Sequence, residues 1–343
     1  MTPFPVMIDD KPMLDLALVV NLFFRDGFRQ EKRRQVLACF NRYIELCGDQ
    51  LHYAGLTIGD GKGRWARYRP DFASIAADKI LANNGSIVEC TVMGGDQLEV
   101  ATPYFCYFIL NAQWEQEQKH AQDILSFTLP WNFFSTRSDI FPELFTWFAA
   151  TLQPEHGFGG LGFAYVDDLS DRRLMEPLVY RLAVQAPFLI IENGYFEARH
   201  LSHGIREGNF LTALSDRWAG KLGGSAAIEA ALGPGFTLRR YAGGLTIEAG
   251  DEPNPYGPSI YQPGPLTVPD TSDDTLKISP LKSPPQADAA ALYPLYRRLN
   301  KVLRPIRVTP EHYQTRLQSN PEAGDEPIFD RARSHQWLAR FDE

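Results

Sequence analysis

Residues 209–250 read NFLTALSDRWAGKLGGSAAIEAALGPGFTLRRYAGGLTIEAG. Leu211, Leu214, Trp218 and Leu222 recur at helical spacing, which predicts a first helix with one apolar face. Gly223-Gly224 ends it, because glycine enters the left-handed region without a Cβ clash. Ser225 is placed to cap the short helix that follows. Gly233-Pro234-Gly235 forces a turn. Phe236, Leu238 and Tyr241 then lead to Gly243-Gly244, and Leu245, Ile247 and Ala249 alternate with polar residues in a last strand. The stretch therefore mixes helices with a hairpin. It holds no obvious acid, base, nucleophile or ligand and reads as scaffold.

The same mixture extends outward. Residues 14–24 are rich in Leu, Val and Phe and predict a buried strand. Residues 29–47 predict an amphipathic helix with Val36, Phe40, Tyr43 and Leu46 inside and Arg29, Lys32, Arg33 and Arg42 mostly outside. Gly48 stops it. Residues 52–70, with Gly55, Gly59, Gly61 and Gly63, read as loop. Asp71 is placed to cap a helix over 72–81. Strands follow at 87–93, 104–112 and 123–129, and then a helix whose Phe141, Leu144, Phe145, Phe148 and Leu152 share one face. A strand at 160–166 leads to a helix at 171–186 that Pro177 kinks or shortens. Residues 250–286 hold nine prolines and form an extended excursion. A last helix covers 288–303, and Trp337, Leu338 and Phe341 are placed to dock the tail. Hairpin-length connections recur without strict βαβ alternation. The fold class is α+β, with mixed, mainly antiparallel sheets packed against helices in two intimately packed halves. The expected parts are 1–154, 155–309 including the proline-rich excursion, and a docked extension 310–343.

Composition narrows the function. The 343 residues are 44% hydrophobic and 12% aromatic, ample for a packed core. Lys+Arg 34 against Asp+Glu 42 gives a net charge of −8. That balance disfavours direct nucleic-acid binding and favours a basic protein partner. Cys39, Cys47, Cys90 and Cys106 lack metal or redox spacing and read as buried free thiols. Asp9-Asp10 replaces the apolar core of a signal peptide, and 14–24 is too short to span a bilayer. The expectation is a soluble cytoplasmic protein with no membrane contact.

The chemical motifs are weak. Gly157 to Gly162 spells G-x-G-x-x-G, but the glycines follow a helix and lead into a strand, the reverse of a dinucleotide fingerprint. A tight connection between packed elements is their expected role. His200 and His203 have H-x-x-H spacing, with Glu197 near, yet Ser202 and Gly204 weaken a helix there and no cysteine joins them. No catalytic, cofactor-binding or metal residues are assigned. The acidic groups Asp167, Asp168 and Asp171, and Asp251 with Glu252, suit a basic partner or simple solvation.

Four segments together resemble a family. They are 155–163 (EHGFGGLGF), 208–218 (GNFLTALSDRW) with Leu222-Gly223-Gly224, 241–250 (YAGGLTIEAG) and the closing 336–341 (QWLARF). In order and spacing they are similar to the bacterial type VI secretion immunity proteins of the TsiV type. The resemblance implies a non-enzymatic protein that binds and neutralises an antibacterial effector, in some members a nuclease of the VRR-Nuc class. It implies no cofactor, and a cytoplasmic antidote suits a toxin that acts on nucleic acid. The expected mechanism is occlusion of the toxin's active site, with Asp167, Asp168, Asp171, Asp251, Glu252, Tyr256 and Tyr261 as candidate contacts. The alternatives are a hydrolase built on His200, His203 and a carboxylate, with or without metal, and an adaptor.

Overall fold

The computed structural model describes residues 5–8, 10–59, 61, 63–83, 85–165, 175–191, 198, 201–253, 286–309, 311–312 and 328–342. Eleven described strands form one sheet: β1 Val6–Ile8, β2 Lys11–Phe24, β3 Tyr53–Ile58, β4 Arg64–Arg67, β5 Val88–Met93, β6 Phe105–Leu110, β7 Asp123–Pro130, β8 His156–Tyr165, β9 Leu211–Ser215, β10 Phe236–Tyr241 and β11 Gly244–Ala249. The described helices are α1 Gln30–Cys47, α2 Phe72–Ala82, α3 Gln113–Gln118, α4 Phe133–Thr136, α5 Ile140–Leu152, α6 Glu176–Gln185, α7 Asp216–Lys221, α8 Ser225–Leu232, α9 Gln286–Leu303 and α10 Arg331–Leu338. The strand order is β10-β11-β9-β8-β2-β7-β6-β5-β3-β4, with β1 beside β2. The pairings between these strands are antiparallel. The fold is α+β.

β2 sits at the centre. It pairs with β8 from Leu14↔Tyr165 to Phe23↔His156 and with β7 from Ala17↔Pro130 to Phe24↔Asp123. Its even-numbered residues, such as Leu18, Val20 and Leu22, pack against Val36, Phe40 and Tyr43 of α1 and Phe141, Phe145 and Phe148 of α5. Its odd-numbered residues Ala17, Val19 and Phe23 face a second cluster with Phe158, Ile190, Leu201, Val308 and Leu338. Burial on both faces explains why β2 reads as an apolar run rather than an alternation. A third cluster joins Leu214, Leu245 and Ile247 to Trp218, Ile228, Leu299 and Leu303.

Several local expectations need correction. The apolar face assigned to one helix is split: Leu211–Ser215 is β9, hydrogen-bonded between β8 and β11, and the helix begins at Asp216. Pairing on both sides outweighs the helical spacing. Gly224, at φ 87°, is the N-cap of α8; Ser225 is its first residue and accepts from Arg240 Nη1 instead. Asp71 makes no capping bond and binds the Arg69 guanidinium. Residues 52–70 contain the β3–β4 hairpin, not only loop. The helix expected from 171 runs over Glu176–Gln185 with a proline in its first turn; residues 166–174 lie outside the described residues.

Arg33, expected outside, is completely buried. Its Nε donates to Gly27 O, its Nη1 to Ile80 O and Asn83 O, and its Nη2 to Ser86 O. The guanidinium thus satisfies the end of α2 and the loops on either side, which offsets the cost of burying it.

The glycine motif is not a connection. It lies within β8, at the middle of the sheet. A Cβ on Gly160 would meet Asn209 Oδ1 at 2.2 Å, and one on Gly162 would meet Ile190 O at 2.3 Å. Bare backbone lets those two segments lie directly on the strand. Gly162→Ala therefore forces the Ile190 segment outward and is expected to cost about 3 kcal/mol, read as a lower urea midpoint. A loss below about 1 kcal/mol would mean that segment yields freely.

His156, the first residue of β8, stacks on Phe23 with centroids 4.7 Å apart and an 11° interplanar angle. Among the described residues neither ring nitrogen has a hydrogen-bond partner. Burial, then the nearby Arg206 charge, push its pKa down to about 3. As pH falls below about 6.5 the unfolded chain takes up a proton that the folded chain refuses until about 3. Stability is therefore lost as pH falls across that window. His156→Phe keeps the stacked ring and removes the proton site. Its unfolding free energy relative to wild type should rise steadily from pH 7 to pH 4, measured by denaturant titration. A difference that does not vary with pH would exclude this account.

Candidate partner-binding surface

The ten-strand path leaves two rims, β10 and β4. At the β10 rim the side chains are already engaged. Phe236 and Leu238 pack into the third cluster, Arg239 Nη1 meets Glu248 at 2.6 Å, and Arg240 Nη1 donates to Ser225. Asp251 and Glu252 are exposed just past β11 at this end.

The β4 rim differs. Tyr53 lies opposite Arg67, and Gly55 opposite Trp65, so these four share one face of the sheet. The Arg67 guanidinium stands 4.5 Å from the centroid of the Tyr53 ring. Gly55 has no side chain to hold the indole away: a Cβ there would lie 3.4 Å from Trp65 Cε3. Trp65 is 38% exposed, and Arg67 is exposed beside it. Other exposed large apolar residues are Met7, Ile75, Trp114 and Trp147. Of these, Trp114 lies under Lys119 and Trp147 stands edge-on to Phe148.

Asp251 and Glu252 are the expected contacts that the structure describes, and they sit at the rim opposite β4. Asp167, Asp168, Asp171, Tyr256 and Tyr261 lie outside the described residues, as do His200 and Glu197. The Trp65–Arg67–Tyr53 group was missed because the glycines around it suggested loop. The alternation of Tyr53, Gly55 and Thr57 against Arg67 and Trp65 was the available signal.

Reactive groups are dispersed. His203 stacks on His312 with centroids 4.4 Å apart, and its Nδ1 bonds the Ser202 hydroxyl. Burial, then His312 and His120, hold its imidazole below the usual range. Among the described residues no group of three His, Cys, Asp or Glu side chains is arranged to hold a metal ion. All four cysteines are buried free thiols. Burial pushes Cys47 up to about 12 and the others up as well, away from thiolate chemistry. No helix among the described residues is long and apolar enough to cross a membrane.

The TsiV family model, described as type VI immunity for VRR-NUC, matches residues 35–262. That is well over half of the chain, and the chain belongs to this family of type VI secretion immunity proteins. The match contains β3, β4, the glycine strand β8 and the β9–β11 region. The Pseudomonas aeruginosa T6SS protein PA0821 has a similar fold, at TM-score 0.77 and 20% identity, over 100% of this chain and 86% of that one. Among curated proteins none matches.

Proposed function

We propose that this chain is a cytoplasmic, non-catalytic inhibitor of a cognate VRR-NUC effector, and that it acts by covering the effector's active site. The match of the type VI immunity family over residues 35–262 carries this reading. Chain-wide charge supports it. A nuclease needs basic surface to hold a phosphate backbone, and a net charge of −8 attracts such a surface over distance. A toxin that cuts DNA meets its target in the cytoplasm, so its antidote is useful there.

Stoichiometry tests the mechanism. The purified chain is titrated into the VRR-NUC effector domain of the same strain, with DNA cleavage as readout. Cleavage should fall in proportion to added chain and vanish near one chain per effector. Full protection at one chain per hundred effectors would signify turnover and sink the inhibitor reading.

A further inference from the structure

We propose that the free edge of β4 docks an extended, acidic segment of the effector as an added strand, an inference that rests on the effector-binding function above. The hydrogen-bond parity of the hairpin carries it. Tyr68 N donates to His52 O, in the same register that pairs Ala54 with Ala66 and Leu56 with Arg64. In an antiparallel ladder the bonded pairs recur every second residue. Arg64 and Ala66 therefore turn their backbone groups toward β3. Trp65 and Arg67 turn theirs off the sheet.

Among the described residues nothing takes up those outward N–H and C=O groups. The same two residues present an indole and a guanidinium on one face, next to Tyr53. Backbone capacity and side-chain anchors thus coincide at alternate positions. Strand addition uses that combination: main-chain bonds supply affinity, and alternate side chains supply specificity. Trp, Tyr and Arg are also the residue types that dominate interface energies.

Edge strands are commonly protected by shortness and by charge. β4 is short and carries arginines, yet an exposed tryptophan at its centre works against protection. The β10 rim makes the contrast. There the residues with outward backbone are Phe236, Leu238 and Arg240; the first two spend their side chains on the core, and the guanidinium of the third is taken up by Ser225 and Asp216.

Charge selects the occupant. Residues 61–70 read GKGRWARYRP, with four cations and no carboxylate, in a chain of net charge −8. Arg69 is engaged by Asp71, whereas among the described residues Arg67 meets only the Tyr53 ring. A carboxylate on the incoming segment fits Arg67, and an apolar side chain two residues away fits Trp65. A single-stranded nucleic acid fits less well. Its phosphates only accept hydrogen bonds, and half of the groups that the edge presents are carbonyl oxygens.

The test uses the full chain and the VRR-NUC effector domain of the same strain. Hydrogen exchange on the wild-type complex is expected to show new protection of the Trp65 and Arg67 amides. Trp65→Ala and Arg67→Glu should each raise Kd at least tenfold with an unchanged melting temperature, and Thr237→Glu on β10 should leave Kd within threefold. A complex in which those two amides exchange as in the free chain overturns the docking inference alone. So does tight binding of both β4 variants. A single-stranded oligonucleotide that binds wild type and is lost in Arg67→Glu, with effector affinity intact, also overturns it. Absence of any complex removes the inhibitor reading and this inference together.

Discussion

The pairing of β2 with β8 is the constraint on which the rest of the structure depends. Ten consecutive residue pairs join them, from Leu14 to Phe23. β2 contributes bulk to both faces; on the face it shares with His156 and Phe158, β8 turns bare at Gly160 and Gly162. Gly160 and Gly162 leave the strand bare where Asn209 and Ile190 approach. Asn209 then bonds Phe188 O through its amide and Phe210 N through its carbonyl oxygen. One side chain thereby fixes two segments against the strand. β9, which pairs β8 through residues 156–159, and β11 beyond it inherit their position from this contact.

The residues just before β9 extend the same logic to the C-terminal part. The side chains of Glu207 and Arg340 are both buried, with Oε2 and Nη1 2.6 Å apart, and Arg340 Nε donates to Pro187 O. Asn300 of α9 exchanges hydrogen bonds with Gly208 in both directions. Tyr296 stacks on Phe341. A buried ion pair adds little net stability, because desolvation offsets its attraction. Its geometric effect is larger: a charge with one acceptable partner admits one position of the tail. Helices α9 and α10 are thus registered on the sheet by polar contacts. Packing alone tolerates sliding.

Much of this architecture was legible in the sequence. Strands with buried faces and helices with wide apolar stripes announce themselves by period, and β2, α1, α5 and the β10–β11 hairpin all emerged from it. The failures share a cause. Arg33 looks like a surface cation because sequence gives no view of the carbonyls of Ile80, Asn83 and Ser86, far along the chain, converging on it with that of Gly27. Leu211 to Leu222 has helical spacing, but strand pairing on both sides decides its first part. The β8 glycines look like a turn because their reason for being glycine is the backbone of other segments. Contacts distant in sequence leave no periodic trace. The β3–β4 hairpin was hidden for a related reason: Gly55 serves the Trp65 ring, and a glycine beside a tryptophan across a hairpin reads as loop until the register is known.

The overall acidity of the chain and the basic strand at one rim act over different distances. At physiological salt a charge is felt over about 8 Å before ions screen it. Net charge therefore governs how two proteins drift together and which gross orientations repel. Contact is decided within hydrogen-bond reach, where a single well-placed guanidinium can outweigh a sum taken over 343 residues. A fold whose interior is fixed by glycine contacts and buried polar bonds leaves its rims free to vary. Substitution at 65 or 67 touches neither the β2–β8 ladder nor the helices packed on it. Substitution at 160 or 162 changes every contact built upon them. The first kind of position can change the surface at a rim without rebuilding the fold.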